Sequence, residues 1–132
     1  MKTISRAFSI AVVAGVLAGP ALAGTIHSPA GLWVTNGGES KYELTLCGDG
    51  DDLCAKMVWV NDTELGQKLR PYLGEAMLVT APRVATQKWR GQITLQGRTV
   101  KGSIEILDAN NIHVRGCEGA LCQGVELIRV SN

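Results

Sequence analysis

The sequence predicts an all-β protein: a small eight-stranded antiparallel up-and-down barrel held by two disulfides. Three observations carry that prediction. Apolar and polar residues alternate with a period of two, as in Tyr42, Leu44 and Leu46 against Lys41, Glu43 and Thr45. This is the pattern of strands buried on one face, and no window has a comparable helical stripe. Turn-forming clusters (Asn36-Gly37-Gly38, Gly48-Asp49-Gly50, Gln96-Gly97, Asp108-Ala109-Asn110 and Glu118-Gly119) separate the alternating runs. They supply residues that accept the positive φ of tight hairpins. Finally, the four cysteines stand in two close pairs.

Taken in chain order, residues 1–23 read as a secretory signal peptide rather than as part of the fold. Lys2 and Arg6 begin it, residues 7–18 carry no charge, and Ala21-Leu22-Ala23 offers small residues where a signal peptidase reads. The apolar run is shorter than the ~20 residues needed to span a bilayer. No Cys follows the expected cleavage point, so a lipid anchor is not expected. Residues 24–132 are then a single barrel domain, exported to the periplasm or secreted, without a membrane span. With Lys2 and Arg6 set aside, its basic residues nearly balance the 12 acidic ones, and there is no basic run. That argues against nucleic acid or an anionic membrane as partner.

Strands are expected near 31–35, 40–47, 53–60, 75–80, 88–95, 98–107, 111–117 and 121–130. The first holds Leu32-Trp33-Val34, and the second is the alternation quoted above. The third carries Met57 and Trp59. The long connection 61–74, containing Pro71, has room for a single helical turn. Further on, Trp89, Gly91, Ile93 and Leu95 alternate with charged or polar neighbours. Val100, Gly102, Ile104 and Ile106 do the same, as do Ile112 and Val114. Strands joined by hairpins form a meander, whose bare edges are removed by closing it into a barrel. The inward phase comprises Tyr42, Leu44, Met57, Trp59, Trp89, Ile93, Ile104, Val114 and Val125. An eight-stranded barrel is wide enough for side chains to fill it, or for one small ligand to enter.

An even cysteine count in an exported chain of this size reads as two disulfides. Three connectivities are possible. Each adjacent pair flanks a short turn, which favours Cys47–Cys54 and Cys117–Cys122. Closing such loops constrains the unfolded chain by roughly 2–2.5 kcal/mol each. The spacings do not suit zinc, and His113 cannot complete a site.

Gly31-Leu32-Trp33, with Arg129 near the chain's end, resembles the opening and closing strands of lipocalin- and avidin-type barrels. The resemblance implies that Trp33 closes one barrel end, that Arg129 lies over its ring, and that Gly31 permits the approach. A wider resemblance runs through Pro29-Ala30-Gly31-Leu32-Trp33, Cys47-Gly48 and Leu53-Cys54-Ala55-Lys56-Met57-Val58-Trp59. It continues in Leu69-Arg70-Pro71-Tyr72-Leu73-Gly74, Trp89-Arg90-Gly91, Val114-Arg115-Gly116-Cys117, Cys122 and Arg129. With these pieces the chain resembles the secreted bacterial family known as domain of unknown function 2147. It departs from that family in lacking an Asp/Asn/Pro-rich stretch before residue 69, and in having Leu127 where a Trp is usual. The resemblance implies a fold and a compartment, and no activity.

No catalytic constellation is legible. His27 and His113 are the histidines, and Ser28, Ser40, Ser103 and Ser131 have no nucleophile-elbow context. Asp49, Asp51 and Asp52 lack the 12-residue calcium loop. Glu43, Glu105 and Glu126 read as cross-strand partners of Lys or Arg. The expectation is a non-enzymatic protein without catalytic residues, metal or cofactor. Tyr42, Met57, Trp59, Trp89 and Ile104 are the candidate lining for a small apolar or amphipathic ligand, although the same residues packed solid would simply be the core. The alternative is a module that binds another exported protein, as barrel inhibitors of proteases and lysozymes do. It would act through the arm 24–30 and the loop 61–74, where Leu65, Leu69, Tyr72 and Leu73 are available. Leu69 and Leu73 serve equally as caps on the barrel.

Overall fold

The computed structural model describes Gly15, residues 25–95 and residues 98–131, without the side chains of 77–79 and 95. Apart from Gly15, the leader expected over 1–23 lies outside the described residues. The elements are β1 (Gly31–Thr35), β2 (Ser40–Cys47), β3 (Asp52–Val60), α1 (Glu64–Leu69), a 3-10 turn (Arg70–Tyr72), β4 (Ala76–Ala81), β5 (Arg83–Ala85), β6 (Lys88–Leu95), β7 (Arg98–Asp108), β8 (Asn111–Glu118) and β9 (Leu121–Ser131). They form one antiparallel sheet in the order β4-β3-β2-β1-β9-β8-β7-β6-β5. The first strand therefore pairs with the last, and the meander curls into a nearly closed barrel.

Nine strands stand where eight were expected, and Pro82 is the reason. Proline has no N–H to give to a ladder and breaks a strand at its position. The chain before it, β4, pairs with β3, and the chain after it, β5, pairs with β6. One bent strand thus forms both ends of the sheet. The two ends meet at Gly91, where an added Cβ would lie 3.0 Å from Ala81 Cβ and 3.1 Å from Ala81 Cα. Nearby, Arg90 N donates to Pro82 O at 3.1 Å.

The interior is filled by the alternating residues of each strand. Trp33, Leu44, Leu53, Trp89, Ile93, Ile104, Ile112, Val114 and Leu127 are all buried, and Val125 packs against them partly exposed. Trp59 departs from the expected inward phase: its side chain is 41% exposed, on the outer surface. The cause is a β-bulge. Lys41 faces Trp59 and Tyr42 faces Met57, so Val58 is an extra residue with no opposite number. One extra residue reverses the phase of everything beyond it. Val60 consequently points inward at 6% exposure, and Trp59 outward under the Lys41 ammonium, 4.6 Å from the ring centroid.

Both local disulfides are present, Cys47–Cys54 tying the β2–β3 hairpin and Cys117–Cys122 the β8–β9 hairpin. They suggest an oxidising, extracytoplasmic environment. Among the described residues no helix is long and apolar enough to cross a membrane.

Candidate functional site: the mouth of the barrel

The two ends of the barrel are built differently. At one end, where β1 begins and β9 finishes, Trp33 Nε1 donates to Pro29 O at 2.9 Å. The Arg129 guanidinium lies 4.2 Å over the Trp33 ring. It donates from Nη1 to Ala30 O (2.9 Å), from Nη2 to Ser28 O (2.7 Å) and from Nε to Ala109 O (2.7 Å). Residues 28–30 are thereby strapped across the opening. Gly31 makes the turn from strap to strand at φ 137°, a conformation that residues with a Cβ rarely adopt. Trp89 repeats the scheme, donating to Asp51 O at 2.7 Å beneath Arg83, whose guanidinium is 5.4 Å from its ring. This end is plugged by two indoles and two arginines.

The other end stays open beneath α1. A cavity of about 320 Å³ is lined there by Tyr42, Met57, Leu65, Leu69, Tyr72, Ala76 and Val125, and by Thr35, Glu39, Ser40, Glu75, Thr94 and Gln123. The β3–β4 connection forms its roof. Thr63 Oγ1 accepts from Gly66 N at 3.2 Å, capping α1 and fixing where the helix begins. Gly66 lets the helix sit tight on the chain leaving β3, since a Cβ there would collide with Asn61 O and Asn61 Oδ1. Leu69, 7% exposed, faces down from the helix as a cap, while Leu65 and Leu73 remain exposed.

Polar features of the mouth are specific. Thr35 Oγ1 donates to Ser40 O and accepts from Ser40 N, both at 3.3 Å, so the backbone of Ser40 is satisfied. Its hydroxyl is held less well: Ser40 is 1% exposed, and Oγ makes no hydrogen bond of ordinary length and angle, although it stands close enough to the Tyr42 phenol to act on it. Burial pushes the Tyr42 phenol above its ordinary value. The adjacent Ser40 hydroxyl opposes that shift, and the charge of Glu39 adds to it. Glu39 and Glu75 are the charged residues of the lining, and neither forms an ion pair among the described residues. Among those residues, no three His, Cys, Asp or Glu side chains gather as metal ligands.

Of the five residues expected to line a ligand site, Tyr42 and Met57 line this cavity. Trp89 and Ile104, at 0% and 1% exposure, lie in the packed core, and Trp59 is outside. Sequence reasoning missed Thr35, Glu39, Ser40, Glu75, Thr94 and Gln123, which no local pattern marks and which meet only on barrel closure. It named Leu65, Leu69 and Tyr72, but as a docking loop. His113 lies over Gly124 of the next strand, where a Cβ would be 2.9 Å from its Cε1.

A family model described as an uncharacterized protein conserved in bacteria, DUF2147, matches residues 31–129. The chain belongs to this family. The DUF2147 match runs from the first barrel residue to the Arg129 that closes the far end, and includes every residue lining the mouth. The strap 28–30 precedes it. No curated protein and no solved structure matches the chain.

Proposed function

We propose that this DUF2147 protein is an exported, non-enzymatic binding protein whose barrel mouth takes one small amphipathic molecule. The observation that carries the reading is the roofed cavity of about 320 Å³, with Tyr42, Met57, Leu69 and Val125 as apolar lining and polar groups beside them. Small-molecule sites are concave, mostly apolar and carry a few placed polar groups; ~300 Å³ is the low end of their range. The ligand is therefore small. Two disulfides fit residence in the periplasm or outside the cell, and the reading needs no cofactor.

Native mass spectrometry of protein purified from its own envelope tests it, alongside a pull-down from the same extract. Ala76 is exposed at the rim, so Ala76→Trp fills the mouth without disturbing the core. The expected result is a small-molecule adduct that Trp59→Ala retains and Ala76→Trp loses. Leu65 and Leu73, 47% and 41% exposed on the roof, favour docking of another exported protein as the second reading. A protein partner lost on Leu65→Asp and Leu73→Asp, with no adduct in the unmodified protein, would decide for it. Either arm leaves the strap 28–30 aside, since Arg129 holds it to the plugged end.

A further inference from the structure

We propose that the outer wall of the barrel carries a seat for a phosphate group, built from cations that the sequence scatters and the sheet register assembles. In β6, β7 and β8 the residues Trp89, Ile104 and Val114 are buried in the core. Successive residues of a strand face opposite ways, so Arg90, Ser103 and Arg115 face outward, and both arginines are exposed. They stand in one row across the sheet: Arg90 is paired with Ser103, and Ser103 with Arg115. Two strand spacings put the arginine Cα atoms about 10 Å apart, with the small serine between them. Lys101 lies two residues along β7 on the same face, opposite Gln92. At the far end of the row the His113 ring leans over Gly124, the partner of Arg115. Arg90, Lys101 and Arg115 come from three different strands, so no basic run announces them.

The protein itself does not neutralise these cations. Among the described residues, Arg90, Lys101 and Arg115 form no ion pair. The nearby acids are occupied by other partners: Glu105 holds Lys88 at 3.7 Å, and Glu118 is paired with Arg98. Glu126, opposite His113, forms no ion pair with Arg115. Like charges gathered on one sheet face repel, and an anion seated among them removes the repulsion. The donors set the kind of anion. A guanidinium is a planar fork that meets phosphate or carboxylate oxygens two at a time, and Lys is a common phosphate ligand. Ser103 adds a hydroxyl donor midway between the forks. Donors arriving from several sides suit a tetrahedral dianion better than a planar carboxylate with two oxygens. The phosphate is carried either by a small phosphorylated molecule or by a lipid headgroup, which present the same chemistry. The seat shares no residue with the mouth, so the two readings stand or fall separately.

Amide NMR at constant ionic strength tests the seat, with inorganic phosphate as the probe and acetate for comparison. Phosphate should move the amides of Arg90, Lys101, Ser103 and Arg115 and leave Tyr42, Tyr72 and Val125 in the mouth still. Acetate should bind about tenfold more weakly. Arg90→Gln/Arg115→Gln should weaken phosphate binding by about tenfold or more, and unchanged amide positions in the rest of the barrel verify that this variant is folded. Arg90→Lys/Arg115→Lys keeps the charge and loses the forks, so it should recover only part of the affinity. Sedimentation with vesicles of phosphatidylcholine, alone or in equal parts with phosphatidic acid, identifies the carrier. Protein brought down only when phosphatidic acid is present supports a headgroup; phosphate shifts without sedimentation support a small phosphorylated molecule. Silence of the row in phosphate, an equal response to acetate, or full affinity in the double lysine variant would overturn the proposal.

Discussion

Among the described residues, Arg129 makes the most of one side chain. It covers the Trp33 ring and satisfies three main-chain carbonyls from two separate loops. Arg129→Ala should lower stability by about 2–3 kcal/mol, since charged hydrogen bonds and a cation–ring contact are lost together. Arg129→Lys should recover little of this, because an ammonium cannot reproduce the planar fork. Urea midpoints of the three proteins check both statements. At the mouth, Tyr42 gives a pH signature. Its folded pKa is raised, so its contribution to stability is complete below the unfolded value near 10 and is lost as pH rises through the folded value. The sign follows because the unfolded chain releases the phenolic proton first. Melting temperatures measured from pH 8.5 upward should fall more steeply for the native sequence than for Tyr42→Phe. At this scale the sequence was legible where a single periodicity decided the outcome: Trp33, Tyr42, Trp89 and Ile104 are all buried. Trp59 was not legible, because a bulge is a backbone event with no residue type to announce it.

Among the elements, β4 and β5 and the roof helix carry the departures from simple alternation. The strand expected at 75–80 is there as Ala76–Ala81, but its continuation beyond Pro82 belongs to the opposite edge of the sheet. The proline was visible in the sequence; its consequence depended on which strands flank it. The helical turn anticipated in 61–74 is present as α1 and the 3-10 turn. Its fit against β3 rests on Gly66, and this yields a separable prediction. Gly66→Ala should lift α1 from Asn61 and weaken ligand binding at least fivefold, a cost of about 1 kcal/mol or more. The barrel strands should keep their amide-exchange protection. Loss of protection throughout the barrel would mean that the helix is part of the core rather than a roof. The disulfides belong to this scale too, since each staples one hairpin. Replacing either pair by Ser should cost roughly 2–2.5 kcal/mol on the loop-entropy model, and the denaturant midpoint reads it directly.

For the whole molecule, closure creates a site that no segment contains. Glu39 and Ser40 come from the first hairpin, Tyr72 and Glu75 from the roof, and Gln123 and Val125 from the last strand. Alternation, turn residues and cysteine spacing could predict a barrel, because each is a local consequence of burying one face of a strand. They could not predict which end would be plugged. The resemblance to lipocalin-type barrels did imply that Trp33 and Arg129 close one end; that Trp89 joins them there depends on the Asp51 and Ala109 carbonyls meeting Trp89 and Arg129 across the fold. The two ends are asymmetric, and the three tryptophans report on that asymmetry directly. Trp33 and Trp89 sit at the plugged end, and Trp59 lies on the outer wall. Amide and indole NMR shifts of the protein during titration with octanol, a probe indifferent to charge, decide the matter. Movement is expected at Thr35, Ser40, Tyr42, Tyr72 and Gln123, with the Trp33, Trp89 and Trp59 indoles still. Shifts at the Trp33 and Trp89 indoles, or at Trp59, with those five amides silent, would contradict it.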